Sequence, residues 1–112
     1  MTVSNQDYEL EDLEILAETP ELRVRILTLG PEQCVPWHHH TRITDTFFCL
    51  EGQTVIETRE PMAAQRLDPG QRFAVPPGQP HRVSPAQGTR CRFLIVQGVG
   101  EYDYVPAESG VG

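Results

Sequence analysis

All four histidines of this 112-residue chain fall in two places, His38-His39-His40 and His81. On a β-strand, side chains i and i+2 share a face about 7 Å apart, so His38 and His40 point together while His39 points to the other side. Two imidazoles on one pleat can converge on a single ion, each nitrogen at about 2.1 Å. Asp45 follows five residues after His40, and a neighbouring or facing strand could bring His81 to the same point. Together His38, His40, Asp45 and His81 would offer three nitrogens and one carboxylate, with positions left for water or substrate. The competing reading is a buried polar trio satisfied by hydrogen bonds, without a metal; in either case His39 is expected to be outward-facing surface.

These residues need short, well-registered elements to hold them. Ten prolines and nine glycines divide the chain into pieces too short for a helical domain. The pattern predicts strands at 23–29, 37–41, 45–50, 54–58, 71–75, 81–84 and 90–97. Their separators, such as Gly30-Pro31, Glu51-Gly52, Asp68-Pro69-Gly70 and Pro76-Pro77-Gly78, are turn chemistry. Short strands at near-regular spacing argue for a sandwich or barrel. Tyr8 to Ala17 fits a helical period about as well as a strand, and reads as an added strand or a short helix leading into one. The expected organisation is an acidic N-terminal segment (1–22), a β-barrel domain (23–97) and a C-terminal tail (98–112) whose end is mobile.

Two stretches carry a resemblance. Gly30 to Gly52 runs as Gly, then His38-x-His40, four residues, Asp45, six residues and Gly. Gly70 to His81 runs as Gly, five residues, Pro76-x-Gly78, two residues and His. In this order they resemble the two motifs of the cupin superfamily, in its small single-domain form. That resemblance implies an all-β fold, a single-domain antiparallel jelly-roll barrel, with one divalent transition metal ion (Fe, Mn, Ni or Zn) held by His38, His40, Asp45 and His81. The chain departs from the family pattern in three places. The Gly30 to His38 gap is two residues longer, Asp45 stands where Glu is more common, and Pro85 replaces the Asn that closes the second motif. The shorter Asp45 leaves open whether its carboxylate reaches the metal directly, through a water, or not at all, serving then as the acid-base residue or as a structural cap. Pro85 is expected to end its strand early.

Strand parity names candidate pocket residues. If Asp45 faces inward, so do Phe47 and Cys49, and from His81 the inward partner is Val83. Trp37, Tyr102 and Tyr104 read as packing residues. Arg42 and Arg59 could clamp an anionic substrate, although the even spread of arginine favours solvated surface. Cys91, Phe93 and Ile95 alternate with Arg90, Arg92, Leu94 and Val96, which suggests two partly buried faces on the last strand.

The formal net charge of −7 belongs wholly to residues 1–22, because the remaining ninety residues balance. With no basic face, nucleic acid is disfavoured as a partner. No apolar run approaches the ~20 residues that span a bilayer. Three cysteines without a Cys-x-x-Cys pair suit a reducing compartment, and the polar, acidic start lacks a secretory or transit pattern, so a cytoplasmic setting is expected. No Ser-His-Asp order or phosphate loop is present, which leaves a metal as the candidate centre of reactivity. Three neutral imidazoles and one carboxylate leave a divalent ion a net +1, favouring an anionic or chelating small molecule. An enzyme of dioxygenase, isomerase or lyase type is one expectation, and a non-catalytic binding or sensing module is the other. Exposed strand edges argue for a homodimer, through the N-terminal strand or an outer sheet.

Overall fold

A computed structural model describes residues 3–4 and 8–107. In chain order the strands are β1 (Val3–Ser4), β2 (Glu9–Leu10), β3 (Asp12–Thr19), β4 (Leu22–Leu29), β5 (Val35–His39) and β6 (Thr44–Glu51). They continue with β7 (Thr54–Thr58), β8 (Ala63–Leu67), β9 (Arg72–Val75), β10 (His81–Pro85), β11 (Cys91–Gly98) and β12 (Val105–Pro106). The described residues contain no helix, and none of their segments is a helix long and apolar enough to cross a membrane.

The strands form two five-stranded antiparallel sheets, ordered β3-β4-β11-β6-β9 and β12-β5-β10-β7-β8, beside a small β1-β2 ladder. This is an all-β fold of packed jelly-roll type. On β11 every second side chain is buried, Cys91, Phe93, Ile95 and Gln97, while the alternate positions are half-buried. The inner face of that sheet is built in cross-strand rows. Leu27, Phe93 and Cys49 form one row, Arg25, Ile95 and Phe47 the next, and Arg23, Gln97 and Asp45 a third. Apolar rows at one end thus give way to a polar row at the other. The apolar end is a fully buried core in which Phe47 and Phe93 pack at 5.7 Å between ring centroids.

Turn chemistry closes the ladders. Gly52 has φ of 72°, and a Cβ there would meet the Arg90 carbonyl oxygen at 2.2 Å. Only glycine fits that turn. At Gly78 (φ 84°) the backbone N–H donates to the His40 carbonyl at 2.7 Å, tying the Pro76-to-Pro80 turn to the end of β5.

Several elements differ from the sequence expectation. β5 begins two residues early and stops at His39, so His40 follows the strand and does not extend it. The His40 carbonyl is taken by Gly78 and its ring by Asp103, partners that lie outside the ladder. β10 runs through Pro85, which pairs with Thr54 of β7. On its other side β5 starts only at Val35, opposite Val83, so Pro85 has no β5 partner and its missing N–H costs no ladder bond there. β8, with the sequence Ala-Ala-Gln-Arg-Leu, and β12 carry no strand pattern of their own and form by pairing with β7 and β5. The ambiguous 8–17 stretch is extended, giving β2 and most of β3, and β3 pairs with β4 along nearly its whole length. The expectation of a mobile chain end concerns residues 108–112, outside the described residues.

Candidate metal centre

The structure brings His38, His40, Asp45 and His81 together, all buried, with one ligand atom of each within 4.8 Å of the others. β5 supplies His38 and its continuation His40, β6 supplies Asp45, and β10 supplies His81, paired directly opposite His38. Nitrogen and oxygen ligands about 2.1 Å from one ion lie roughly 3 to 4 Å apart, so the cluster is near coordination dimensions. Ring centroids of His38 and His81 are 4.3 Å apart, and those of His38 and His40 are 4.8 Å apart. His39 is half-buried and lies outside the cluster.

Hydrogen bonding orients each ring. The Nδ1 of His38 is 2.7 Å from the Pro36 carbonyl, that of His81 is 2.9 Å from the Gln79 carbonyl, and that of His40 meets the Asp103 carbonyl. A carbonyl only accepts, so each Nδ1 must carry the proton. In the neutral ring this leaves the Nε2 lone pair aimed at the centre, the tautomer that metal-binding histidines adopt. Yet the Nε2 atoms of His40 and His81 each lie 2.9 Å from Asp45 Oδ2, another acceptor. A neutral imidazole has one N–H and cannot serve both sides. An imidazolium, which donates at both nitrogens, or a cation among the two Nε2 atoms, His38 and Oδ2 removes the conflict, and the donor set fits a divalent transition metal.

The electrostatics follow from burial and from Asp45. Burial pushes His38 down to about 3, assisted by the neighbouring His81, so this ring stays neutral. Burial also acts to lower His40, but the hydrogen bond and charge of Asp45 outweigh it and the net shift is upward. For Asp45 burial would raise the carboxyl, while hydrogen bonds from His40 and His81 hold it well below the usual carboxylate range. Its other oxygen, Oδ1, accepts from Gln97 Nε2 at 3.1 Å. Gln97 was not legible as a site residue, because an isolated amide on a strand looks like surface until its row is known.

A cavity of about 250 Å³ opens from the cluster. Phe47 and Val83 line it. Cys49 does not: it sits one row deeper than Phe47, beside Phe93, with its thiol 3.5 Å from the Gly52 carbonyl. Parity gave its face but not its depth. Arg42 pairs with Glu101 at the surface and Arg59 lies 4.1 Å over the Trp37 ring, so neither reaches the cavity. Arg23 and Arg25 do. Their signal was present in the alternation Arg23, Arg25, Leu27, Leu29, in which two cations continue an apolar inner face. Tyr104 stacks on His38 at 4.4 Å and 13°, and the Tyr102 ring lies 5.3 Å from that of His40, so the segment after β11 covers the site.

A two-layer jelly roll with three histidines and a carboxylate at one end of its interior defines a cupin. The cupin domain profile matches residues 25–97, and the chain belongs to that family. Among solved structures it is similar to an uncharacterized conserved protein with a double-stranded beta-helix domain from Klebsiella pneumoniae, at 21% identity and a TM-score of 0.75, covering 96% of this chain and 90% of that one. It is also similar to the DMSP lyase DddQ from Ruegeria pomeroyi, at 19% identity and a TM-score of 0.72, covering 90% of this chain and 53% of that one. An oxalate oxidase matches at 15% identity and a TM-score of 0.69, covering 78% of this chain and 46% of that one. The chain therefore spans about half the length of these two enzymes. No curated protein sequence matches it.

Proposed function

We propose that this cupin holds one divalent transition metal ion (Fe, Mn, Ni or Zn) on His38, His40, His81 and Asp45 and acts as an enzyme on a small anionic or chelating organic molecule, by dioxygenase, isomerase or lyase chemistry. The observation that carries this reading is the convergence of the His40 and His81 Nε2 atoms on one Asp45 oxygen that borders a cavity, with the Nδ1 atoms of all three rings committed to backbone carbonyls. Bound there, a divalent ion would act as a Lewis acid, fixing two substrate oxygens and stabilising negative charge that develops on them.

The chain's own residues do the rest. Pro36, Asp103 and Gln79 hold the rings in one tautomer and orientation. Gln97 fixes Asp45 through Oδ1, which leaves Oδ2 for the centre. Should Asp45 stand off the metal, its carboxylate is the base within reach of a bound substrate. Phe47 and Val83 make apolar walls, and the tyrosines of the last segment limit the entry of water. That two of the enzymes of similar fold are an oxalate oxidase and a DMSP lyase supports small organic acids as the compounds to try first. Three free cysteines support a cytoplasmic, reducing setting, and a homodimer is the proposed assembly.

The test is metal-loaded protein incubated with small α-hydroxy acids, keto acids and diketones, following dioxygen uptake, isomerisation and elimination. Turnover that disappears in His81→Ala is the expected result. Tight binding of metal and acid with no turnover in any assay would make the protein a binding module.

A further inference from the structure

Resting on the metal reading above, the geometry points to a second, anion-holding end of the same cavity, built on Arg23 and Arg25, and we infer that the ligand carries a chelating head and a separate carboxylate. The two arginines sit at alternate positions of β4 and face the interior, where Leu27 and Leu29 continue as core. Arg23 stands in one cross-strand row with Gln97 and Asp45. With strands about 4.8 Å apart, its backbone lies roughly 10 Å from that of Asp45. A guanidinium and the candidate metal centre thus flank one small cavity.

Their pairing is incomplete. The side chains are 19% and 12% exposed, and burying a cation is costly unless it is matched. Yet both lean on a single oxygen, Glu18 Oε1, 3.6 Å from Arg23 Nε and 3.3 Å from Arg25 Nη2, and Glu18 itself is half exposed. Arg25 Nε is buried with no hydrogen-bond partner at all. A guanidinium presents five donors in a planar fork that matches a carboxylate in two-point fashion. Tyr102 lies 3.8 Å under the Arg23 guanidinium and holds its plane. Two cations sharing one outer carboxylate leave surplus positive charge, and an incoming carboxylate would supply both the charge and the acceptor that Arg25 Nε lacks.

The experiment uses the full chain loaded with cobalt(II), whose visible band reports ligation, titrated with acetate and with succinate. Wild type is expected to bind succinate at least about tenfold more tightly than acetate, and Arg25→Met to lose about that factor for succinate alone while keeping one equivalent of cobalt. Glu18→Gln, a change at a half-exposed side chain, frees both guanidiniums and is expected to tighten succinate several-fold, which keeps the test open if Arg25→Met fails to fold. Cobalt bound with succinate no better than acetate, or with succinate unaffected by Arg25→Met or not tightened by Glu18→Gln, overturns the anion end and leaves the metal reading standing. Failure of wild type to take up cobalt overturns the metal reading and this inference with it.

Discussion

At the scale of the residue, the site depends on proton placement. Each cluster histidine presents Nδ1 to a backbone carbonyl, so orientation and tautomer are set before any ion arrives. Replacing His81 by Ala is expected to abolish metal binding. Asp45→Ala separates the two roles open to the carboxylate: as a ligand, its loss lowers affinity by at least about a hundredfold, whereas unchanged metal content with lost turnover makes it the acid-base residue. Gln97→Leu removes the donor to Asp45 Oδ1 and is expected to weaken metal binding about tenfold, read by competition with a chromophoric chelator. His38, His40, Asp45 and His81 were legible because ligand spacing and turn residues are local in sequence. Alternation along β4 carries the face of Arg23 and Arg25 but not what they border, and the role of Gln97 arises from register between β11 and β6, which no single stretch encodes.

At the scale of the element, the segment after β11 does more than end the chain. β12 pairs with β5 beside His38 and His39, and Asp103 clasps the loop that carries His40. The Asp103 carboxylate accepts from Thr41 N–H at 2.8 Å and Thr41 Oγ1 at 2.6 Å, while its carbonyl faces the His40 ring. Those Thr41 donors hold the Asp103 carboxyl below its ordinary value. The clasp therefore stabilises the fold above the ordinary carboxylate range and is lost as pH falls through the depressed folded value. Asp103→Ala is expected to lower metal affinity about tenfold without unfolding the sheets, checked by chelator competition and circular dichroism. Most strands were readable from alternation and turn residues. β8 and β12 were not, since an exposed edge and a two-residue bridge owe their form to a partner strand and not to their own side chains.

At the scale of the whole molecule, an apolar end supports a polar one. Phe93 is fully buried between the Phe47 ring and the Leu27 row, and Phe93→Ala is expected to cost about 3–5 kcal/mol, seen as a lowered urea midpoint. The acidic excess of the N-terminal segment is partly matched within the fold, where Glu18 meets Arg23 and Arg25 and Glu11 pairs with Arg90 at 2.8 Å. β3 remains an edge strand with Ile15 and Leu16 about half exposed, the surface on which the proposed homodimer would close. Light scattering at tens of micromolar is expected to give twice the chain mass, and Leu16→Glu to halve it. A monomeric wild type would remove the dimer and leave the site untouched. Elemental analysis of untagged protein grown with supplemented metals reads the occupancy of the His38, His40, Asp45 and His81 cluster itself. About one equivalent of a single transition metal per chain is expected, lost in His81→Ala. Less than about a tenth of an equivalent in wild type, with none taken up on titration, would contradict the metal reading.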